Sequence, residues 1–312
     1  MKTVCVYHSI DLDGWMSAAV VKHWFEENVR RVGDDDVPVD TLDFVGYNYG
    51  QPIPNLSDYE RVIMCDIVLP KEIMLNLYKT IRHDLIWIDH HRSAIVDIDF
   101  EHLVGPDPIR GIRDEKFAAC ELTWKYFFPH EPMPELVRLL GRYDCFGHKG
   151  TDEETYVLEF QYGARDVIGG YEAAYSWLKS SMTCEREDVC NIHQIGKSIY
   201  HFLCQDALQS FKNGFRWTYF YATDMNGNCP TPVKFMVINK ERFNPINFGI
   251  KYHETGYDGC ACFHFNGKNW SFSLYNDNGL VDVSVIAKQY GGGGHKGAAG
   301  FVTNDISQFI KQ

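Results

Sequence analysis

Up to about residue 150, short apolar runs alternate with stretches in which apolar residues recur at helical spacing. Strands separated by helices are typical of βαβ units, so this pattern predicts a parallel sheet covered by helices on both faces. Polar residues that follow such strands lie at the carboxyl edge of the sheet, where ligands bind in this class of fold. The predicted strands are Thr3–His8, Thr41–Tyr47, Arg61–Asp66 and Leu85–Asp89, and the helices between them are Gly14–Asn28 and Pro70–Ile81.

The remainder of the chain is predicted to be helical first and then rich in strands. The stretch 185–212 has the pattern of one long connecting helix, and from 215 onwards the sequence becomes aromatic and β-rich, with a helix over 281–290. We therefore predict an α/β protein. Its parts are an N-terminal parallel-sheet domain over 1–150, a helical connector over 151–213, and a smaller mixed α/β domain over 214–312.

Composition places the chain among folded proteins, because apolar residues make up 45% and charged residues 23% of it. The 30 Lys+Arg against 42 Asp+Glu give a net charge of −12, which argues against binding to long duplex nucleic acid or an anionic membrane. A small anionic substrate stays compatible, because a bound metal reverses the local field. Since no segment has the roughly 18 apolar residues of a membrane span, and ten cysteines are too dilute for a disulfide scaffold, we expect a cytoplasmic protein.

The first residues with evident chemistry lie in the turn between the first predicted strand and helix. His8, Asp11 and Asp13 precede Gly14 there, and their side chains are expected to converge at the sheet edge. Imidazole and carboxylate ligands suit Mn²⁺, Fe²⁺ or Mg²⁺. A capped turn with a surface histidine explains the same residues, because Asp is a preferred N-cap residue.

Three further acidic positions follow apolar segments. Asp66 ends a predicted strand, where a turn residue is an equally ordinary interpretation. Asp89 ends another and is followed by His90 and His91; two imidazoles beside a carboxylate indicate a functional site. Asp144 closes a predicted helix, where its charge is unfavourable for the helix dipole, so it has another role or is a surface accident.

A run of four glycines precedes His295 near the C-terminus. Consecutive glycines let backbone N–H groups approach an anion closely, and a histidine can donate to a phosphate or a base. The alternative is a flexible linker, but an apolar helix pattern before the run and a small-residue strand after it argue against that. We therefore predict substrate binding at Gly292, Gly293, Gly294 and His295.

Taken in order, His-x-x-Asp-x-Asp-Gly, a strand-end Asp, Asp-His-His and a downstream Asp resemble the motifs of the DHH phosphoesterases. The segment 291–300, Gly-Gly-Gly-Gly-His-Lys-Gly-Ala-Ala-Gly, resembles the GGGH segment of their DHHA1 domain. The resemblance spans nearly the whole chain. Within this RecJ-like superfamily it is nearer to the oligoribonuclease (nanoRNase) and phosphoadenosine-phosphatase branch than to the pyrophosphatases, which carry a different C-terminal domain.

The resemblance implies a two-metal enzyme, most often with Mn²⁺, for which Mg²⁺ or Co²⁺ are substitutes. The ligands that it implies are His8 and Asp11 for the first ion, Asp13, His90 and Asp144 for the second, and Asp66 as a bridge. It further implies catalytic roles for Asp89, which would orient the cluster, and His91, which would face the phosphate. Two such ions can share a hydroxide, lower its pKa and neutralise the oxygens of an in-line displacement at phosphorus.

Some features differ from the family pattern or remain open. Many members have Ser-Leu-Arg before the glycine segment, where this chain has Ser273-Leu274-Tyr275-Asn276, so Tyr275 is predicted to stack a base instead. Arg110 and Arg113 follow the Asp-His-His motif; they would reach a phosphate or belong to a solvated loop. The Cys-x-Cys pair at 260–262 has no further ligand nearby in sequence, which favours a packed strand over a soft-metal site.

We therefore predict a phosphoesterase that hydrolyses phosphodiester bonds of short oligoribonucleotides (nanoRNA) to mononucleotides by attack of metal-bound hydroxide, with its active site between the two domains. Alternative activities are a phosphodiesterase of cyclic or linear dinucleotide signals and a 3′-phosphoadenosine 5′-phosphate phosphatase. A non-catalytic nucleotide sensor is the alternative outside the enzymes, although such a protein would be expected to lose ligands. The expected partners are a short nucleotide substrate and a second copy in a homodimer, with neither long duplex nucleic acid nor a membrane.

Overall fold

The computed structural model describes residues 1–28, 31–32, 37–38, 40–98, 108–222, 231–241 and 243–309. The chain divides into two compact units, Met1–Ile199 and Tyr200–Gln312. A parallel sheet in the first unit and a mixed sheet in the second confirm the predicted α/β class.

The first unit is built on a four-stranded sheet in which all neighbouring strands are parallel. Its strands are β1 (Lys2–His8), β4 (Thr41–Tyr47), β5 (Arg61–Cys65) and β6 (Leu85–Ile88). Between β1 and β4 in the chain lie two short strands, β2 (Arg31–Val32) and β3 (Val37–Pro38), which pair with each other in an antiparallel manner. The helices around them are α1 (Leu12–Asn28), α2 (Lys71–Ile81) and α3 (Arg92–Asp97). The spatial order of the strands is β4-β1-β5-β6.

Both faces of the sheet are buried along most of β1 and along β5 and β6, which explains why these strands are largely apolar rather than alternating; the edge strand β4 is partly exposed. On β1, Val4 and Val6 point to one face and join the apolar cluster that contains α2. Cys5 and Tyr7 point to the opposite face and join the cluster that contains residues of α1. The sheet is therefore the middle layer of three, as predicted.

The topology opens a crevice at the carboxyl edge of this sheet. The chain leaves β1 toward β4 on one side and leaves β5 toward β6 on the other, so the connections diverge between β1 and β5. Such switch points are where α/β proteins bind ligands. The register places Tyr7 beside Cys65 and Cys65 beside Ile88, so the three strands end level. The residues that follow at this edge are His8, Asp66 and Asp89.

A second layer of helices completes the first unit. These helices are α4 (Ala119–Phe127), α5 (Glu135–Asp144), α6 (Glu154–Val167) and α7 (Tyr171–Gly214), the last of which contains two helical stretches that meet at Cys184. Phe160, Leu178 and Ile192 are fully buried in one apolar cluster with residues of α1. Residues 151–199, predicted as a connector, thus pack into the first unit. Among the described helices, none has a segment that combines the length and the apolar character of a membrane span.

The two units divide within α7, between Ile199 and Tyr200, rather than near residue 213. The end of the helix packs on the second unit: the hydroxyl of Tyr200 donates to the carbonyl oxygen of Asn247 at 2.8 Å. Phe211 packs against the apolar cluster around Met236. A continuous helical pattern contains no local signal for such a change of packing partner. The boundary predicted from the sequence therefore lay at the end of the helix, near residue 213.

The second unit contains a six-stranded sheet in the order β11-β12-β10-β9-β8-β7, in which the β8–β9 pair is parallel and the other pairs are antiparallel. One face packs against the helix α8 (Val283–Gln289) through an aromatic core that includes Phe272 and Phe301. The strands are β7 (Phe215–Ala222), β8 (Thr231–Asn239), β9 (Gly259–Phe265), β10 (Trp270–Tyr275), β11 (Gly293–His295) and β12 (Ala298–Thr303). The short strand β11, within the glycine run, has no counterpart in the sequence prediction.

Two glycines let α6 and α7 touch backbone to backbone. A Cβ at Gly163 would lie 1.9 Å from the carbonyl oxygen of Ile192, and a Cβ at Gly196 would lie 1.7 Å from that of Glu159. We expect Gly163→Ala to lower the free energy of unfolding by about 1–3 kcal/mol, because backbone has to move to make room. Chemical denaturation measures the change.

Gly169→Ala is the matched control, because nothing lies within 4 Å of a Cβ at this exposed position. This substitution is expected to leave stability unchanged or to raise it slightly by restricting the unfolded chain. Equal effects of the two alanines would contradict the close approach of the helices.

Candidate active site

The turn between β1 and α1 brings His8 and Asp11 together. Nδ1 of His8 lies 2.7 Å from Oδ2 of Asp11 and 3.4 Å from Oδ2 of Asp66. Gly14 is required beside them, because a Cβ there would lie 2.1 Å from the carbonyl oxygen of His8. The N–H of Gly14 donates to Oδ1 of Asp11 at 3.0 Å. The glycine of the motif therefore lets α1 begin close to β1 and holds Asp11 toward the site.

Asp13 is 3% exposed and has a structural role that the sequence does not reveal. Its Oδ1 accepts the N–H of Cys120 at 2.7 Å, and its Oδ2 accepts the N–H of Ala119 at 2.9 Å. Asp13 thus satisfies the first N–H groups of α4, which the N-cap residue Ala118 has no side-chain oxygen to accept. Oδ2 of Asp13 also lies 3.5 Å from Nε2 of His90. A carboxylate oxygen has two lone pairs, so Oδ2 can still accept on the side that faces His90.

Asp66 lies at the centre of the cluster and is 1% exposed. Its backbone has φ = 62°, in the left-handed region that Asp tolerates better than most residues, and its N–H donates to the carbonyl oxygen of Ile88 at 3.0 Å. The chain therefore turns directly after β5. Oδ2 of Asp66 lies 3.4 Å from Nδ1 of His8, and Oδ1 lies 3.4 Å from Nε2 of His90. The two oxygens of this one carboxylate face two different histidines.

Asp89 is fully buried and holds the Asp-His-His turn in place. Its Oδ1 accepts the N–H groups of His90 at 2.7 Å and His91 at 3.0 Å and lies 2.8 Å from Nδ1 of His91; its Oδ2 accepts from Nε1 of Trp87 at 3.3 Å. Both oxygens of this buried carboxylate are therefore engaged by the turn that they hold. The catalytic role predicted for Asp89 stays a prediction.

His90 and His91 point to different surroundings. His90 is 5% exposed, and its Nε2 lies 3.2 Å from Oδ2 of Asp144, the last residue of α5. The side chain of His91 is 25% exposed, and its Nδ1 is held by Asp89. His90 therefore belongs to the interior of the cluster, whereas His91 lies at its open side.

Three sets of ligand atoms in this cluster each lie within 4.8 Å of one another. The sets are His8 with Asp11 and Asp66, Asp13 with His90 and Asp144, and Asp66 with His90 and His91. The first two sets bring together the residues predicted for two separate ions, with Asp66 adjoining both. Coordination by them stays a prediction.

The chemistry of these donors fits divalent cations. Oδ1 of Asp66 is buried and, within the described ranges, has no partner in hydrogen-bond geometry: Nε2 of His90 lies 3.4 Å away and Nδ1 of His91 3.6 Å away. A buried polar atom without such a partner is costly, and a cation would satisfy it. The sets contain oxygen and imidazole nitrogen but no thiolate, which suits Mn²⁺ or Mg²⁺ better than a soft metal.

Crowding of carboxylates shifts the protonation of the cluster. Burial, followed by the charge of a neighbouring carboxylate, raises the pKa of Asp13 and of Asp144 to about 7. Burial also opposes the charged form of the histidines, but the adjoining carboxylates outweigh it and raise the pKa of His8 to about 11 and that of His90 to about 10. Without a metal, the cluster therefore retains protons that a divalent cation would displace.

The C-terminal residues predicted to bind substrate lie in the second unit, on and beside the edge strand β11. A Cβ at Gly292 would lie 2.0 Å from the carbonyl oxygen of Gly300, and the N–H of Gly292 donates to Ala287 at the end of α8. Glycine is thus needed for a helix end and a close strand pair, a requirement independent of ligand binding. Gly293, Gly294 and His295 are exposed. Their contact with an anion stays a prediction.

Three other sequence candidates have structural explanations. Tyr275 is half-buried against the cluster around Met236, so base stacking by it stays a prediction. Arg113 donates to the carbonyl oxygens of Trp87 and Ile109 at 2.9 and 3.0 Å, which ties the loop to β6. Arg110 donates to the carbonyl oxygen of His83 at 3.1 Å. Cysteines 260 and 262 are buried in β9, and no metal set in the described chain includes them.

Tyr49 is a residue at this site that the sequence reasoning missed. It follows β4, its ring centroid lies 6.5 Å from that of His8, and the side chain is 54% exposed. Burial of its hydroxyl, followed by the charge of Asp89, raises its pKa. The signal was available, because Tyr49 follows a strand of the parallel sheet as the other site residues do. An exposed ring at this edge offers a surface on which a base can stack.

No protein-family model matches the chain. It is 23% identical over 319 positions to an uncharacterized protein of Acanthamoeba polyphaga mimivirus, an alignment that covers 97% of this chain and 68% of that protein. It superposes on a pGpG-specific phosphodiesterase from Vibrio cholerae with a TM-score of 0.51 and 13% identity, over 97% of this chain and 94% of that one. The two chains share a fold. An exopolyphosphatase-related protein from Bacteroides fragilis gives a TM-score of 0.45 at 14% identity, over 96% and 86% of the chains.

We expect Asp66→Asn to abolish tight binding of Mn²⁺. Asn keeps the shape of the side chain and tolerates the left-handed backbone, but it removes the charge between the two sets. Wild-type protein with Mn²⁺ at about 100 times Kd should be stabilised by about 2.7 kcal/mol, and the variant by much less. Titration calorimetry and thermal unfolding measure both effects. Asp152→Asn, at an exposed turn, is the control, and unchanged stoichiometry in Asp66→Asn would contradict the central role of Asp66.

The apparent affinity for Mn²⁺ should rise between about pH 6 and pH 8. Carboxyls with a pKa of about 7 hold protons below that pH, and these protons compete with the metal. Each such carboxyl contributes roughly tenfold over this interval, and His8 and His90, whose pKa values lie above it, also release a proton on binding and add to the same direction of tighter binding at higher pH. Calorimetry in buffers of different ionisation enthalpy should also show net proton release. An affinity independent of pH would show that the ligands are already deprotonated.

Proposed function

We propose that this chain is a metal-dependent phosphoesterase that hydrolyses phosphodiester bonds of short oligoribonucleotides to mononucleotides. One observation carries the proposal: Asp66 presents one oxygen toward each of two carboxylate–imidazole sets at the switch point of a parallel sheet. A carboxylate shared between two adjoining sets is suited to holding two ions close together, as two-metal phosphoryl chemistry uses them. The fold shared with a phosphodiesterase supports the same class of reaction.

In this proposal, each set holds one divalent cation, with Mn²⁺ the first to test. The residues that hold them are His8 and Asp11 on one side, Asp13, His90 and Asp144 on the other, and Asp66 on both. When bound, two divalent cations would lower the pKa of a water and neutralise the phosphate oxygens of an in-line displacement.

His91 supplies a hydrogen-bond donor toward the substrate in this proposal. Its Nδ1 is held by the buried carboxylate of Asp89, and the side chain lies at the open side of the cluster. Burial opposes the imidazolium form, but Asp89 outweighs it and raises the pKa of His91. A protonated imidazole in a fixed orientation can donate to a phosphate oxygen and stabilise the charge that develops there.

Short substrates are favoured by the charge of the chain. A net charge of −12 repels a long polyanion, whereas a dinucleotide needs favourable contacts at one place only. Tyr49 offers a ring for a base beside the cluster. Binding of a phosphate by Gly292, Gly293, Gly294 and His295 of the second unit is a separate part of the proposal. Linear dinucleotides are the first substrates to test, because a solved structure that shares this fold is named for pGpG.

The test is a product analysis on matched substrates. Purified protein with Mn²⁺ is incubated with pGpG, its dephosphorylated form GpG, a cyclic dinucleotide, longer oligoribonucleotides and 3′-phosphoadenosine 5′-phosphate. We expect linear dinucleotides to react fastest, pGpG giving two mononucleotides and GpG giving one mononucleotide and one nucleoside, and we expect chelation to stop the reaction. Asp66→Asn should lower kcat/KM by more than about 100-fold, because removing even a residue that only supports a ligand costs 10–100-fold. Asp152→Asn should retain full activity.

Other outcomes separate the alternatives. If 3′-phosphoadenosine 5′-phosphate is the only one of these substrates that reacts, and it releases inorganic phosphate, the protein is a nucleotide phosphatase. Binding of dinucleotides without turnover would identify a sensor that has kept the ligand set. Full turnover by Asp66→Asn, or in the presence of a chelator, would contradict the proposed mechanism itself.

A further inference from the structure

A stacked guanidinium lies on α6, near the end of α5 that carries Asp144. The guanidinium carbon of Arg165 is 5.3 Å from the ring centroid of Tyr143 and 5.2 Å from that of Tyr162. Nη2 of Arg165 donates to the hydroxyl of Tyr143 at 3.3 Å. Contacts with two rings and one hydroxyl restrict the orientation of the cation without neutralising its charge.

Arg165 differs from neighbouring arginines in its partners. Arg138 and Arg142 each form ion pairs with glutamates. In the part of the chain that the structure describes, no carboxylate lies within ion-pair distance of Arg165, which is exposed. A guanidinium has five N–H donors, so most of those of Arg165 are available to an anion.

The location of this cation relates it to the candidate site. Tyr143, which it contacts, directly precedes Asp144, whose Oδ2 lies 3.2 Å from Nε2 of His90. The direct contacts of the guanidinium are thus with tyrosines, one of them the chain neighbour of Asp144, rather than with the candidate ligands.

We propose that Arg165 binds a substrate phosphate other than the one that is hydrolysed. A planar guanidinium donates two parallel hydrogen bonds to phosphate oxygens, and its stacking on Tyr143 and Tyr162 prepares that geometry in advance. A terminal phosphate carries about −1.5 to −2 charges at neutral pH and needs a cation of its own in a region rich in carboxylates. This inference rests on the proposed function and narrows its substrates to dinucleotides with a terminal phosphate.

The experiment compares pGpG with GpG, which differ only in the terminal phosphate. With Mn²⁺ present, we expect Arg165→Gln to lower kcat/KM for pGpG by about 10- to 100-fold and for GpG by less than about threefold. Arg165→Lys keeps the charge but loses the paired donors, so it should fall between wild type and Arg165→Gln on pGpG. Arg138→Gln, which removes an arginine engaged in ion pairs, should leave the ratio between the two substrates unchanged.

Melting temperature and Mn²⁺ affinity of each variant serve as controls for the fold and the metal site. If Arg165→Gln fails to fold, Arg165→Lys carries the test. Equal losses on both dinucleotides, or no loss on either, would overturn the inference and leave the proposed function intact. If wild-type protein hydrolyses neither dinucleotide, the proposed function fails. The inference is then decided by calorimetry: Arg165→Gln must weaken binding of pGpG and leave that of GpG unchanged.

Discussion

The gathering of carboxylates at one edge of a parallel sheet is the constraint on which the site in the first unit depends. The level ends of β1, β5 and β6 bring acidic residues together in a largely buried place, where burial, followed by the charge of a neighbouring carboxylate, raises the pKa of Asp13 and Asp144. Imidazoles lie between the carboxylates and offset part of the repulsion. The charge that remains is what divalent cations would neutralise. The acidic residues concerned are Asp11, Asp13, Asp66, Asp89 and Asp144.

The same hydrogen bonds that place these carboxylates also complete the fold. Asp11 accepts from the first turn of α1, Asp13 accepts from the first turn of α4, and Asp89 accepts from the turn that follows β6. Each satisfies backbone N–H groups that have no partner within their own helix or strand. Asp66 is different, because its oxygens face histidines and its backbone carries the left-handed turn. The hydrogen bonds of Asp11, Asp13 and Asp89 at the rim of the cluster therefore stabilise the fold and position the site. The side chain of Asp66, at the centre, contributes to the site.

Several residues that the sequence indicates for ligand binding also stabilise the fold. The glycine run closes α8 and lets β11 pair closely with β12, and Arg113 ties a loop to β6. Arg165 and Tyr49 show the opposite case: neither belongs to a motif, yet one presents a guanidinium and the other a ring near the cluster. Residue type alone does not separate these cases. The decisive difference is which atoms already have a partner in the folded chain.

The sequence by itself determined the α/β class, most of the strands and helices, and the set of histidines and aspartates at the sheet edge. It did so because the periodicity of a strand or a helix depends only on neighbouring residues in the chain. In addition, residues that follow parallel strands lie at the same edge of the sheet, independently of how the rest of the chain folds. Tertiary structure alone decided the left-handed turn at Asp66, the capping of α4 by Asp13, the division of the units within α7 and the stacking of Arg165. Several of these features depend on contacts between residues far apart in the chain. The hydrogen bond from the N–H of Ala119 to Asp13, for example, joins residues 106 positions apart. No local pattern of apolar and polar residues encodes such contacts.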